Sequence, residues 1–184
     1  MHAYDVNWLI KQHQANSKLK YLYFWGHTPK KIGQIDHACL SQWYLAPFVV
    51  DDVHYPTAEH YMMAQKALLF DDTEVFNKII HATQPKQAKE LGRQVKNFDE
   101  KRWNEKRLDI VINGNLGKFS QHPELKAYLL GTGDKILVEA SPVDKIWGVG
   151  LAKDNSKIAN PTTWQGLNLL GFALMTVRDE LLTE

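Results

Sequence analysis

The sequence has little cysteine, no excess of either charge and no long apolar run. Cys39 is the only cysteine among 184 residues, which excludes an internal disulfide framework and a zinc site built from thiolates. The formal net charge of +1 provides no overall basic field, so non-specific binding to a nucleic-acid backbone is not indicated. No window approaches the roughly 18 apolar residues of a membrane span, and Met1–Gln14 lacks the apolar run of a signal peptide. We therefore expect a cytoplasmic protein with no membrane partner.

Several familiar catalytic motifs are also missing. The eight histidines show no HExxH-type pairing, and Glu59 and His60 are adjacent, so their side chains diverge around a helix. Neither phosphate-loop pattern, GxxxxGK[ST] or GxGxxG, occurs, and there is no GxSxG nucleophile motif. We therefore expect no metal and no cofactor.

Length and composition favour one globular domain. With 184 residues, 44% of them hydrophobic and 23% charged, the chain is long enough to bury a sizeable core. Caps and apolar spacing predict an α+β domain that is mostly helical with a few short strands. The predicted strands are Tyr21–Trp25 and Lys135–Ser141, with a hairpin at Asp51–Asp52 that leads through Val53–Tyr55.

The predicted helices follow from the same signals. The first four are Asp5–Gln14, which precedes a polar linker Gln14–Lys20, then Thr57–Phe70, Thr73–Ala82 after Asp71–Asp72, and Lys86–Leu91 between Pro85 and Gly92. A fifth helix is capped by Asp99 and has an inner face of Trp103, Arg107, Ile110, Gly114 and Gly117, and a sixth runs from His122–Pro123 to Gly131. The last is Trp164–Leu182, which is capped by Thr162 or Thr163 and has Leu167 on its packed side. Gly114 and Gly117 indicate either a close approach of another segment or an early helix end.

The helix Thr57–Phe70 carries an acid and an amine on a largely apolar side. Glu59 and Lys66 are seven residues apart, so they project from one face with Met62 and Met63 between them. Desolvation there would disfavour the charged forms of both groups, which makes them usable in acid–base or covalent chemistry near neutral pH. The alternative is that both side chains lie at the edge of the core and extend to water.

A second candidate is the segment Glu139–Gly150. A strong strand ends at Glu139 and presents Asp144 and Trp147 in a glycine-rich loop, the kind of place where functional groups concentrate. Gly148 and Gly150 would let the backbone approach a ligand closely. The alternative is that Asp144 only caps the turn and Trp147 packs on the core.

Tryptophans also lie in unusual places. Trp25, Trp43, Trp147 and Trp164 are each close to glycine, proline or polar residues. Such side chains often fill cores, but they also stack on planar ligands. With the carboxylates and one buried lysine they indicate a sugar or nucleotide ligand, and arginine or a helix N-terminus would hold its phosphate.

Seven segments stand out in order along the chain: Tyr23–His27, Leu40–Tyr44, Tyr55–Ala67, Lys118–Phe119, Leu137–Ser141, Asp144–Gly150 and Gly166–Met175. Together they resemble the motifs of the NADAR family. The best-known branch of the family is the YbiA-like N-glycosidases. The resemblance implies a YbiA-like domain over residues 21–184, after an N-terminal extension of residues 1–20 that has no counterpart in the motifs. One departure is that Phe24-Trp25-Gly26 replaces the Ser-Asn-Phe opening of many relatives.

The resemblance implies cleavage of a C1′–N glycosidic bond without metal or cofactor. The expected substrate is either of two kinds. The first is a small molecule, a phosphoribosylamino-pyrimidine intermediate of riboflavin biosynthesis. The second is ADP-ribose attached to guanine, which can also be part of an ADP-ribosylated nucleic acid. The absence of a strongly basic field favours the phosphoribosylamines. Two other classes stay open: a non-catalytic module that binds ADP-ribose, which would not need Lys66 with acidic neighbours, and a structural or interaction protein.

The residue roles implied by the resemblance follow the matching positions. Lys66 and Asp144 are expected to be the catalytic pair, supported by Glu59 and Glu139. The substrate-binding set is expected to comprise Trp25, Trp43 and Trp147 as pocket walls, with Gly26, Ser41, Gln42, Tyr61, Gly148 and Asn168. Two mechanisms remain possible: water attack on a carboxylate-stabilised cation at C1′, or a Schiff base between Lys66 and the ring-opened sugar.

Overall fold

A computed structural model of the chain describes residues 3–15 and 18–183. These residues contain seven α-helices and four short strands, joined by loops. In chain order they are α1 (Val6–Gln14), β1 (Tyr21–Phe24), β2 (Phe48–Val50), β3 (Val53–Tyr55), α2 (Ala58–Leu69), α3 (Thr73–Ile80), α4 (Pro85–Gly92), α5 (Glu100–Gln121), α6 (Pro123–Leu130), β4 (Ile136–Glu139) and α7 (Leu169–Thr183), with short 3-10 helices at His37–Leu40 and Pro161–Thr163. The fold class is the predicted one, a single α+β domain that is mostly helical.

Two compact units divide this domain. Gln42–Pro123 form one, which we call the helical unit because α2 to α5 make up most of it. The described residues before Gln42 and after Pro123 form the other, which we call the parallel-sheet unit because β1 and β4 pair there in parallel. The predicted linker Gln14–Lys20 lies partly outside the described residues. The first residues of the predicted N-terminal extension, 1–20, and the last residue of the predicted domain, 21–184, also lie outside them.

Helix starts follow the capping residues that the sequence predicts. The side chains of Asp5, Thr57, Asp72 and Asp99 each accept a hydrogen bond from the N–H three residues further on, at the start of α1, α2, α3 and α5. Pro85 occupies the first position of α4, where its missing N–H costs nothing. These helices are therefore fixed by local chemistry.

A two-residue hairpin opens the helical unit. Val50 pairs with Val53 in the antiparallel β2–β3 ladder, which leaves Asp51 and Asp52 as the turn. Both have left-handed φ angles, 51° and 60°, as a type I′ turn requires. The predicted hairpin is confirmed.

Glycines allow close packing around α2. A Cβ at Gly114 would lie 2.5 Å from the Tyr61 ring, and one at Gly117 would lie 2.9 Å from the Phe48 ring. A Cβ at Gly92 would collide with the Met63 side chain. Of the two interpretations of Gly114 and Gly117, close approach is correct, since α5 continues to Gln121.

The core of the parallel-sheet unit is β4. Ile136, Leu137 and Val138 are buried, whereas in β1 only Phe24 is buried and the other three residues are half-buried. Helix α7 packs on β4, and a Cβ at Gly171 would collide with the Leu137 carbonyl. That glycine lets the helix backbone lie directly against the strand.

The last helix begins later than predicted. Thr162 and Thr163 belong to a 3-10 turn, and α7 starts only at Leu169. The intervening backbone bonds elsewhere: Gln165 N–H donates to the Val149 carbonyl at 2.9 Å, and Leu167 N–H to that of Lys145 at 3.0 Å. Leu167 is 45% exposed and not on a packed side. A loop with partners distant in sequence replaces the predicted first helical turns.

Helix α1 is anchored within the parallel-sheet unit. Leu9 is fully buried, and the Tyr4 hydroxyl donates to Asp179 of α7 at 2.5 Å.

Among the described residues, no helix has the length and apolar character needed to cross a bilayer.

Candidate active site

The first turns of α2 are buried and carry the predicted acid. Glu59 is only 3% exposed, and its N–H donates to the Gln42 carbonyl at 3.0 Å. The Gln42 side chain in turn accepts a hydrogen bond from Asn115 at 2.8 Å, and the same Asn115 amide donates to the Val111 carbonyl on α5. Gln42 therefore connects the start of α2 to α5, close to Glu59.

Lys66 lies two turns further along α2 and is half-buried. Its Nζ donates to the Gly92 carbonyl at 2.8 Å and lies 4.3 Å from the ring centroid of Phe98 and 5.6 Å from that of Trp103. Burial lowers the pKa of the amine, and the positive charge of Arg93 lowers it further. Since the hydrogen bond to Gly92 uses an N–H, a neutral amine here keeps its lone pair directed away from that carbonyl. Lys66 is thus half-buried at the edge of the core, whereas Glu59 is buried.

His60, next to Glu59, is occupied by structural hydrogen bonds. Its Nε2 lies 3.1 Å from the Ala82 carbonyl, which can only accept, so that nitrogen carries the proton. Nδ1 then accepts from the Thr57 hydroxyl at 2.8 Å. Burial lowers the pKa of His60 and keeps the ring neutral. Both nitrogens are thus used within the fold.

Two further predicted residues of the helical unit lie in aromatic surroundings. Tyr61 is buried edge-on against Tyr55 at 5.0 Å, and burial raises its pKa to about 12. Trp43 is half-buried, with the Lys89 amine 5.9 Å from its ring. In this structure Tyr61 is part of the packed core, while Trp43 retains accessible surface.

In the parallel-sheet unit, predicted residues gather at the carboxyl edge of β1 and β4. Because Phe24 pairs with Glu139, the two strands end side by side. Trp25 follows directly and is 56% exposed, and Gly26 turns the chain with φ 82°. Side chains that leave the carboxyl ends of parallel strands commonly form binding sites.

Asp144 organises the loop that follows β4. Its Oδ1 accepts hydrogen bonds from the N–H groups of Ile146 and Trp147, both at 2.8 Å, and its own N–H donates to Ser141 Oγ at 3.1 Å. Within the described residues Oδ2 makes no hydrogen bond. The capping interpretation is therefore correct for Oδ1.

Asn168 and Gly148 fix this loop to β4. The Asn168 side chain is fully buried; its Oδ1 accepts from the Glu139 N–H at 3.0 Å and its Nδ2 donates to the Leu137 carbonyl at 2.9 Å. A Cβ at Gly148 would lie 2.9 Å from the Glu139 carbonyl and 3.1 Å from that of Asp144. The space beside Gly148 is filled by protein backbone, so these two residues position the loop.

Lys118 of α5 lies in one of the segments that resemble the NADAR motifs, but the sequence analysis assigned it no role. It is fully buried, with its amine 5.0 Å from the Phe119 ring and 5.6 Å from the Tyr44 ring. The available signal was its spacing: Lys118 is four residues after Gly114, which was placed on the inner face.

Ser41, the remaining predicted residue, ends the first 3-10 helix and is half-buried.

A surface cleft of the helical unit is separate from these groups. It has a volume of about 470 Å³ and is lined by residues of α2 and α5 that include Gln65, Arg102 and Asp109. None of the predicted site residues lines it.

In the described part of the chain, no group of three His, Cys, Asp or Glu residues is arranged to hold a metal ion.

Comparisons with known proteins identify the family of the chain and its fold. The family model of the NADAR domain matches residues 23–182. An N-glycosidase of Acanthamoeba polyphaga mimivirus is 43% identical over 88% of this chain and 96% of its own length. A riboflavin biosynthesis protein of Vibrio vulnificus is 33% identical over 79% of this chain, but over only 36% of its own length. The NMR structure of the E. coli protein YbiA superposes with a TM-score of 0.70 at 28% identity, covering 89% of this chain and 86% of that one.

Proposed function

The chain belongs to the NADAR domain family as a YbiA-like N-glycosidase, and we propose that it hydrolyses the C1′–N bond of phosphoribosylamino-pyrimidines. The observation that carries the proposal is the amine of Lys66, which is held in place by Gly92 and has a lowered pKa. The near-zero net charge and the riboflavin-related name of one relative support a small substrate.

Lys66 has the properties of a nucleophilic amine. Lysine attacks carbon only as the neutral amine, and burial beside another cation increases the neutral fraction near pH 7. The hydrogen bond to Gly92 fixes the nitrogen, so that little orientation is lost when it reacts. A lysine used only for binding phosphate would gain from staying charged, whereas burial and the charge of Arg93 both lower the pKa of Lys66.

The proposed reaction proceeds through a Schiff base. The C1′–O4′ bond breaks as the substrate nitrogen forms an imine with C1′, and an acid delivers a proton to O4′. The Lys66 amine then adds to C1′, a proton moves from it to the substrate nitrogen, and the base leaves with its amino group. Water adds to the resulting Schiff base and releases ribose 5-phosphate and the neutral lysine.

Asp144 is assigned the acid–base role in this proposal. Its Oδ1 is bound by two backbone N–H groups, while Oδ2 can give and take a proton. Glu59 and Glu139 are assigned supporting roles for the positive charge that develops at C1′. The tryptophans Trp25, Trp43 and Trp147 are assigned to stacking with the base.

A product assay with two substrates tests the proposal. A phosphoribosylamino-pyrimidine and an ADP-ribosylated guanine oligonucleotide are incubated with the enzyme in chelator, and the products are identified by mass spectrometry. We expect free pyrimidine and ribose 5-phosphate from the first substrate. Sole release of ADP-ribose from the second would move the substrate to ADP-ribosyl-guanine, binding of ADP-ribose without any product would indicate a binding module, and loss of activity in chelator would contradict a metal-free mechanism.

A further inference from the structure

The loop Arg93–Asp99, between α4 and α5, surrounds the amine of Lys66. Arg93 begins this loop at the end of α4, directly after the Gly92 carbonyl that binds Lys66 Nζ. Phe98 lies near its other end with its ring 4.3 Å from the same nitrogen. Phe98 is 46% exposed and also packs edge-on against Phe70, with the ring centroids 5.3 Å apart.

One buried carboxylate fastens this loop to the rest of the helical unit. Oδ2 of Asp72 accepts a hydrogen bond from the Lys96 N–H, in the middle of the loop, at 2.9 Å. Oδ1 of Asp72 caps α3 by accepting from the Val75 N–H at 3.1 Å. Asp72 itself follows the end of α2, where its N–H donates to the Ala67 carbonyl at 2.9 Å. Asp72 therefore joins α2, α3 and the loop.

Resting on the function proposed above, we propose that Asp72 is a positioning residue for Lys66, because it fastens the loop that follows Arg93 and carries the Phe98 ring to the Lys66 amine. Its second oxygen is not needed for the helix cap, which uses Oδ1 alone. The loop also contains Asn97 in a left-handed conformation, φ 55°, so its path depends on outside attachment. The exposed pair of Lys96 with Glu74, at 3.0 Å, adds a weaker attachment of the same kind.

The helices that pack against α2 carry several other charged side chains. Glu59 on α2 itself lies two turns away, toward the N-terminus. Helix α3 carries Glu74 and Lys78, which pair with each other; helix α4 carries Lys86, Lys89 and Glu90; and helix α5 carries Arg102, whose guanidinium lies over Phe70, and Arg107. The charge that lowers the pKa of Lys66, after burial itself, is that of Arg93.

The test is the substitution Asp72→Asn. Asparagine is as good a helix cap as aspartate, so α3 keeps its start, but one side-chain acceptor is replaced by an NH₂ donor and the Lys96 N–H loses its partner. Asp5→Asn, at the cap of α1, is the matched control. The readout is the rate at which an amine-reactive reagent labels Lys66, followed by peptide mass spectrometry across a range of pH.

We expect the labelling midpoint of Lys66 to move to higher pH in Asp72→Asn and to stay unchanged in Asp5→Asn. Labelling at neutral pH falls about tenfold for each unit of that shift. If Asp72→Asn fails to fold by circular dichroism, Asp72→Ser replaces it, because serine is an equally good cap for α3 and has no second side-chain oxygen for the Lys96 N–H. A midpoint equal to wild type in the variant that folds overturns the proposal. Because labelling needs no turnover, it tests the position of Lys66 separately from its catalytic role. Failure to trap a sugar adduct on Lys66 with borohydride during turnover would refute only the catalytic role.

Discussion

Lys66 and Asp144, the two proposed catalytic residues, are held in place in opposite ways. Lys66 stands on a regular helix, and its properties come from burial and from a neighbouring charge. Asp144 stands in an irregular loop, where three local hydrogen bonds to its backbone and one carboxylate oxygen set its position. Side chains can be exchanged on the helix while its backbone stays in place, whereas the loop depends on its side chains for its path.

The largest effect is expected from Lys66→Ala. If Lys66 is the nucleophile, turnover should fall by on the order of 10⁴-fold or more, and borohydride should trap no sugar adduct. Helix α2 should keep its fold, because alanine is a strong helix former. Lys86→Ala, an exposed lysine of the same unit, is the control and should behave as wild type. Normal turnover by Lys66→Ala would leave the carboxylate mechanism as the only choice.

Asp144→Asn separates the chemical role of the loop from its structural one. Asparagine retains the Oδ1 acceptor for the Ile146 and Trp147 N–H groups, so the loop should keep its path. Loss of acid–base function should reduce kcat by about 10²–10⁴-fold with an unchanged free energy of unfolding. Asp144→Ala should in addition lose about 1 kcal/mol of stability in denaturant titrations. Full activity of Asp144→Asn would refute the proton-transfer role.

Two glycine substitutions compare the tolerance of the two regions. A Cβ at Gly148 meets backbone carbonyls that cannot move without breaking the loop, so Gly148→Ala should cost about 1–3 kcal/mol and also reduce kcat. A Cβ at Gly114 meets the Tyr61 side chain, and the better helix propensity of alanine, about 1 kcal/mol, partly offsets the crowding. Chemical denaturation of both variants measures the difference. Equal losses would show that the loop is no less tolerant than the helix.

The smallest effect concerns His60 and acid. Because burial lowers its pKa in the folded state, the unfolded state binds more protons once the pH falls below the ordinary histidine pKa. The stability contributed by His60 is therefore complete above that pKa and is lost as the pH falls through the folded-state value, at most about 1.4 kcal/mol per pH unit. Unfolding between pH 7.5 and 5 should show a shallower slope in His60→Gln, whereas the exposed His54→Gln should match wild type.

The sequence was informative wherever local chemistry decides the structure. Caps such as Thr57 and Asp99 fixed the helix starts, and the seven-residue spacing placed Glu59 and Lys66 on one buried face. The NADAR resemblance is confirmed by the family match over residues 23–182. The roles of the individual site residues stay predictions.

What the sequence could not reveal depends on partners far along the chain. Residues after Trp164 form a loop because their N–H groups bond to residues 145–149, and no local pattern encodes that pairing. The left-handed φ of Asn168, 53°, and its two bonds to β4 also come from tertiary structure. Likewise, the complete burial of Lys118 and the loop held by Asp72 appear only once the helices are packed.

The parallel pairing of β1 with β4 also determines when the Asp144 loop can form. Tyr21 pairs with Ile136, so the entire sequence of the helical unit separates the two partners along the chain. Closing so long a loop costs entropy before any contact is gained, and such non-local pairings form more slowly than hairpins and helices. During synthesis β1 leaves the ribosome long before its partner strand exists. The Asp144 loop, which extends from β4, is therefore among the last parts of the protein to acquire its shape.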